Sequence, residues 1–342
     1  MAKEKDSKMI KVGIIGTGLQ FKRRAPVIKE WPNAELTAIA SLEYENAIEA
    51  AKQYNCKAYK TWQEVVALDE LDVILVCTPP YVHADISVSA MRVGKHVLCE
   101  KPLSRTVEEA EEMVRVASET GRILKCGFNH RHHPAIWKAK QIIDSGDLGN
   151  PILARCVYGI CGRPGYENEW RANPELAAGG QFIEQGTHAI DLFRWFLGNI
   201  SEIAAMTGTL YFTEQSLDDN GMAVFKTDSG AIASLHTSLT QWINLFHFEI
   251  YCEDGYVSVE GLGASYSTQK LTIGKKDFTA PFAYETTEFR GGDKSWKAEW
   301  KEFYNAIHNK IEPLGNAKDG LACMKIALSG YEGEKAGFTK IK

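Results

Sequence analysis

Ile10-Lys11-Val12-Gly13-Ile14-Ile15-Gly16-Thr17-Gly18-Leu19-Gln20-Phe21 is the stretch on which the fold of this chain turns. Its first six residues form an apolar run interrupted by one lysine and one glycine, the pattern of a buried strand. The run meets Gly16-Thr17-Gly18 and passes into a helix-like segment lasting to about Glu30. A strand, a glycine turn and a helix in that order open a dinucleotide-binding βαβ unit. Gly16 permits the tight turn. Gly18 lets a pyrophosphate approach the backbone at the positive end of the helix, with Thr17, Leu19 and Gln20 in the same turn. Phe21 stands where a third small residue is usual.

The following segments continue the unit. A second strand, Glu35 to Ala40, ends at Ser41, where an acid that grips the adenosine ribose is expected. Glu43 lies two residues on, and no basic residue stands beside Ser41 to receive a 2′-phosphate, so NAD is favoured over NADP. Helices are expected at Glu45 to Tyr54 and Trp62 to Ala67, and a buried strand at Val73 to Cys77 that ends in Thr78-Pro79-Pro80-Tyr81-Val82-His83. Another short apolar run, His96 to Cys99, stops at Glu100-Lys101-Pro102. Pro102 lacks the N–H to continue in a central strand, and a charged pair at a buried strand end is costly unless it faces a site. A helix (Val107 to Thr120) and a strand (Ile123 to Phe128) complete the set at Asn129-His130-Arg131. Alternating strands and helices predict a doubly wound parallel sheet over residues 8–129, with ligands outside the carboxyl ends of its strands. Ser41, Thr78 and Lys101 all fall at such ends.

From Pro151 the period changes. Runs of β-rich residues follow at short spacing: 152–159, 203–210, 222–226, 231–240, 246–251, 256–259 and 269–273. Turn signals such as Asp219-Asn220-Gly221, Asp228-Ser229-Gly230 and Glu253-Asp254-Gly255 separate them. They predict a large, mostly antiparallel open sheet in a second α/β domain, 130–342, with helices at Trp296 to Asn309 and Lys318 to Tyr331. One helix, Gly179 to Trp195, interrupts the sheet. Its Phe182, Gly186, Ala189, Ile190 and Phe193 make an apolar face, with Gln181, Glu184, His188 and Asp191 on the opposite one. That polar stripe consists of residues that transfer or orient protons.

Composition narrows the function classes. The chain has 342 residues, 44% hydrophobic and 24% charged, with a net charge of −5, so it offers no basic field to nucleic acid or anionic lipid. The eight cysteines (56, 77, 99, 126, 156, 161, 252, 323) form no CxxC pair and read as reduced core thiols of a cytoplasmic protein. No run approaches a membrane span, and Met1 to Lys8 reads as a disordered leader without signal-peptide character. His130, His132 and His133 lack a fixed ligand spacing, so no metal is expected.

Taken together, the segments resemble the Gfo/Idh/MocA family of NAD(P)-dependent oxidoreductases, the relatives of glucose–fructose oxidoreductase and inositol dehydrogenase. The resemblance rests on the Gly16-Thr17-Gly18 turn, Thr78-Pro79-Pro80 with His83, Glu100-Lys101-Pro102, and Gly179-Gly180 followed by Gly186-Thr187-His188 and Asp191. It implies a Rossmann domain followed by an open-sheet α/β domain that often forms the oligomer interface, hence a homodimer or homotetramer. It implies Lys101 as the catalytic lysine and His188 as the acid/base. Glu184 replaces the Asp that many members carry four residues before the histidine, and is expected to touch substrate or orient the site. Thr78, Pro79, Pro80, His83, Glu100, Lys101 and Asn129 join the glycine turn, Ser41 and Glu43 as cofactor candidates. Arg131, Trp170 and Arg171 join Lys101, Glu184 and His188 as substrate candidates. Glu100 is expected to hold the lysine or face the nicotinamide.

The expected chemistry follows from residue type. Oxidising a secondary alcohol removes a hydroxyl proton, which suits a neutral imidazole, while an ammonium suits the oxygen that becomes negative. The substrate is expected between the two domains and is a sugar, cyclitol or nucleotide-linked sugar. Two other readings remain open from the sequence: a glycosidase that oxidises its sugar transiently with tightly held NAD, and a non-catalytic NAD(P)-binding protein.

Overall fold

The computed structural model describes residues 9–336, so the expected leader lies outside the described residues. The described residues divide into two compact units, one of residues 9–127 with 296–321 and the other of 128–295 with 322–336. The boundary thus falls two residues before the expected 129/130, and the segment 296–321 groups with the first unit rather than the second.

In the first unit the strands are β1 (Ile10–Ile15), β2 (Ala34–Ala40), β3 (Lys57–Tyr59), β4 (Val73–Val76), β5 (His96–Cys99) and β6 (Leu124–Cys126). All pair in parallel in the order β3-β2-β1-β4-β5-β6. The order reverses between β1 and β4, the switch point at which such sheets leave a crevice at their carboxyl ends. The helices are α1 (Leu19–Glu30), α2 (Tyr44–Tyr54), α3 (Trp62–Val66), α4 (His83–Arg92) and α5 (Val107–Thr120). Two of them start on reciprocal capping boxes, Thr61 with Glu64 and Thr106 with Glu109, which satisfy otherwise orphaned N–H groups. The sequence reading did not anticipate α4, because that helix buries His83 and Ser87 along with Ile86, Ala90 and Met91 and shows no clean apolar stripe. Trp300, Phe303 and Tyr304 pack into the same core cluster as Ile10, Phe21, Ile28 and Leu75, which is why 296–321 belongs here.

The second unit opens with helix α6 (Pro134–Ser145), started by Pro134 and stopped by the left-handed Gly146. Its eight-stranded sheet comprises β7 (Pro151–Cys161), β8 (Ile200–Gly208), β9 (Asn220–Thr227), β10 (Ile232–Ser238), β11 (Thr240–Cys252), β12 (Gly255–Glu260), β13 (Gln269–Lys275) and β14 (Tyr284–Phe289). The order is β14-β13-β12-β11-β7-β10-β9-β8, antiparallel throughout except for β10 against β7. The sequence reading missed β14, a largely exposed edge strand without hydrophobic alternation. Between β7 and β8 lie α7 (Gln181–Glu184) and α8 (Gly186–Leu197). Helices α9 (Ser295–Asn309) and α10 (Ala317–Ala336) end the described chain.

Of the eight cysteines, Cys161 is exposed and Cys56 half-buried, so only six are core thiols, and none is in a disulfide. Among the described residues no helix is long and apolar enough to cross a membrane.

Candidate active site

In the first unit, the loops after β1, β2, β4 and β5 carry the expected cofactor residues. Gly16 has φ +97°, and a Cβ there would sit 2.6 Å from the Cys77 carbonyl oxygen, so close approach of the β1 and β4 ends requires glycine. A Cβ on Gly18 would meet nothing within 4 Å, which leaves open space at the start of α1. Helix α1 has no acidic residue in its first turn to neutralise that positive end. Thr17 and Ser41 are joined through their hydroxyls at 2.7 Å, and Glu43 is exposed at the start of α2. The buried Thr78 Oγ1, on the loop after β4, and Gln20 Oε1, in the first turn of α1, have no hydrogen-bond partner among the described residues. Open space, an uncompensated helix end and two unspent polar atoms fit a dinucleotide. Phe21, the departure from the fingerprint, is buried edge-on against Tyr54 at 5.5 Å.

Two candidates in this unit have interior roles. His83 is fully buried, with Nδ1 3.0 Å from the Pro102 carbonyl and Nε2 2.8 Å from the Thr78 carbonyl. It ties the loop after β5 to the loop after β4 rather than facing outward, and burial holds its pKa below the usual value. The Glu100 carboxylate, expected to hold Lys101 or face the nicotinamide, takes the Arg24 Nε at 2.5 Å, and Arg24 Nη1 donates to Glu299 at 2.9 Å. All three are buried. Burial raises the Glu299 pKa, and the Arg24 guanidinium opposes that rise. Lys101 follows Glu100 directly, and its peptide to Pro102 is cis.

The second unit holds the other candidates, and here the helix differs from expectation. It breaks at Gln185 into α7 and α8. Asp218 fixes the start of α7: its carbonyl takes the Gln181 N–H at 2.8 Å and its carboxylate the Phe182 N–H at 2.7 Å. A Cβ on Gly180 would lie 2.4 Å from the Asp218 carbonyl oxygen, which explains a glycine there. The expected polar stripe does not face solvent: Gln181, His188 and Asp191 are buried and Glu184 is half-buried. Asp191 forms a two-pronged ion pair with Arg131, 2.7 Å to Nε and 2.5 Å to Nη2, and both groups are buried. Arg131, a substrate candidate, is therefore committed to the helix interior, because a buried guanidinium and carboxylate must satisfy each other.

The structure brings Glu184, Arg171 and Trp170 together. Arg171 Nε donates to Glu184 Oε1 at 3.3 Å, and its guanidinium lies 4.3 Å over the Trp170 ring. His188 stacks on His130 with ring centroids 3.7 Å apart, and Tyr158 and Phe128 lie about its ring at 6.3 Å. The three neighbouring histidines serve three environments: His130 against His188, His132 stacked on Trp137, and His133 hydrogen-bonded to Gln269. Sequence reading missed Tyr158, which alternation on β7 presents as an ordinary inward residue. It saw His130 only as a metal candidate.

A parallel sheet with a glycine turn at its switch point fits a dinucleotide-binding protein, and the second unit carries a buried imidazole, His188. A family model described as an oxidoreductase family with an NAD-binding Rossmann fold matches residues 10–128, and the corresponding C-terminal domain model matches 136–258. The chain belongs to the Gfo/Idh/MocA oxidoreductase family. It is 29% identical over 232 residues to levoglucosan dehydrogenase of Pseudarthrobacter phenanthrenivorans, a match covering 65% of this chain and only 59% of that protein. It is 27% identical to 1,5-anhydro-D-fructose reductase of Ensifer adhaerens, covering 81% and 84%. In fold it resembles levoglucosan dehydrogenase in complex with NADH and levoglucosan, with a TM-score of 0.88 at 23% identity over 98% of this chain and 100% of that one.

Proposed function

We propose that the protein transfers a hydride between NAD(P) and a secondary alcohol of a sugar or cyclitol, with NAD preferred. The observation that carries the reading is His188, an imidazole buried on a helix, held against a second ring and close in the chain to the Glu184 and Arg171 pair. The bound nicotinamide supplies hydride acceptance at its C4. In the oxidation the carbon–hydrogen bond breaks with its electron pair leaving as hydride, and the hydroxyl proton passes to His188 Nδ1 or Nε2. Lys101 offsets the negative charge that develops on the substrate oxygen. Glu184 and Arg171 beside the Trp170 ring offer the acceptor, donor and apolar face that a polyol recognises. The relatives named for levoglucosan and anhydrofructose support a sugar as the substrate class.

A panel of sugars and cyclitols, followed by nicotinamide absorbance with NAD and NADP in parallel, tests this. On the best substrate His188→Ala lowers kcat by roughly 10² to 10⁴ with cofactor affinity unchanged. A kcat close to the parent's, with chemistry rate-limiting, removes His188 from the mechanism.

We also propose that the protein is a homo-oligomer through the second sheet. The solvent face of β8, β9 and β10 presents Met206, Met222, Val224 and Ile232, all at least half exposed, a patch that suits a second copy. Sedimentation of Met222→Lys with Val224→Lys checks it: dissociation supports the interface, and an unchanged assembly rejects it.

A further inference from the structure

We propose that His130 is a positioning residue for His188, a neutral imidazole that holds the His188 ring by its face and leaves His188 as the ring that takes the proton. The inference rests on the reading of His188 as acid/base. Its basis is a hydrogen-bond chain in which each donor can be assigned. The Asp293 carboxylate accepts the single hydroxyl hydrogen of Ser295 at 2.6 Å. The Ser295 oxygen is then an acceptor, and it takes the Asn129 Nδ2–H at 2.9 Å. The amide orientation is thereby fixed, and its oxygen, which only accepts, faces His130 Nδ1 at 3.2 Å. So His130 carries its proton on Nδ1. Its Nε2 accepts the Tyr158 hydroxyl at 3.0 Å.

A second proton on His130 would have to enter at Nε2, against that hydroxyl, on a ring only 4% exposed. Burial disfavours the charged ring, and it raises the Tyr158 pKa as well, so the phenol stays a donor. The ring must stay neutral because of its neighbour. Its centroid lies 3.7 Å from that of His188, with the planes 24° apart, and two imidazolium charges at that spacing do not coexist in a buried site. The other titratable groups about the pair leave this assignment intact. His133 meets His130 edge-on at 5.4 Å, and its Nδ1 lies against Gln269 and 3.8 Å from the Asp293 carboxylate, which also takes the Ser295 hydroxyl. Tyr158 has one hydroxyl hydrogen, so with that hydrogen on His130 its bond to Tyr266 runs from the Tyr266 hydroxyl to the Tyr158 oxygen. Glu184 is held by Arg171, and Asp191 is neutralised by Arg131.

The test is nuclear magnetic resonance of the full-length protein labelled in its histidine rings, with signals assigned from His130→Phe and His188→Ala. The nitrogen shifts of His130 should report the Nδ1–H form throughout pH 6 to 9 while His188 titrates. Asn129→Asp replaces the amide with a carboxylate that favours a charged His130, and the His188 pKa should then fall by about one pH unit or more. A His130 that titrates above His188 in the parent, or carries its proton on Nε2, overturns the proposal. So does an unchanged His188 pKa in Asn129→Asp while His130 is charged. If Asn129→Asp does not fold, the parent tautomer decides alone. Failure of the function reading is distinguishable, because it appears as unimpaired turnover in His188→Ala, whatever the ring tautomers are.

Discussion

Replacing Arg131 with Met should destabilise the second unit far more than a surface arginine would. The guanidinium and its partner Asp191 are 3% and 0% exposed and share two hydrogen bonds, so removing the cation leaves a carboxylate in the interior without its counter-charge. Breaking a buried pair from one side costs about 3–5 kcal/mol. For a unit of this size each kcal/mol lowers Tm by roughly 2–4 °C, so a central loss of about 4 kcal/mol lowers the melting transition by roughly 8–16 °C. Asp191→Leu alone should cost a similar amount, because it strands the arginine instead. The double variant Arg131→Met with Asp191→Leu should recover much of the loss, since an apolar pair of similar volume removes both desolvation penalties. Circular dichroism through thermal and urea unfolding measures all three variants. A single-variant loss under about 1 kcal/mol, or a double variant as unstable as the sum of the singles, would show that the two groups do not depend on each other.

Gly18→Val should fold with little change in Tm, since a Cβ there meets nothing within 4 Å, and should lose NAD(H) binding measured by fluorescence; retained affinity rejects the pyrophosphate assignment. Ser41→Asp should raise the preference for NAD over NADP about tenfold or more, because a carboxylate accepts from both ribose hydroxyls and repels a 2′-phosphate; a parent that binds NADP more tightly refutes the reading of this position. Asp218 has its pKa pushed up from 3.8 to about 6 by burial, against the hydrogen bonds from Tyr331 and Phe182. A raised carboxyl contributes stability that is full below about pH 4 and lost as pH rises through 6, a swing of roughly 3 kcal/mol. The slope of unfolding free energy between pH 4.5 and 7 should therefore be more positive in Asp218→Asn than in the parent, and equal slopes would reject the shift.

The sequence by itself determined most strands and helices of the first unit, but not β3, α4 or the return of 296–321 to its core. Val107–Thr120 and Ile10–Ile15 are helix and strand as expected, because a capping threonine and a mostly apolar run are local signals that tertiary contacts only reinforce. Glycines at 16 and 18 likewise announce their turn, since the backbone conformation they permit is a property of the residue. The second sheet was legible through its turns. Its largely exposed edge strand β14 was not, because an edge needs no buried face. Tertiary structure alone decided what the buried polar groups do. The spacing of Gln181, Glu184, His188 and Asp191 suggests one helical stripe, but Asp218, 36 residues beyond Phe182, starts α7, and Arg131, 60 residues earlier, claims Asp191. The same holds for His83, which is buried between carbonyls of two loops, and for Glu100, which belongs to Arg24. A charged or hydrogen-bonding side chain records in the sequence that it needs a partner. Which partner it gets is set by strand order and by which loops share a sheet end, and those are long-range consequences of packing that no local pattern contains.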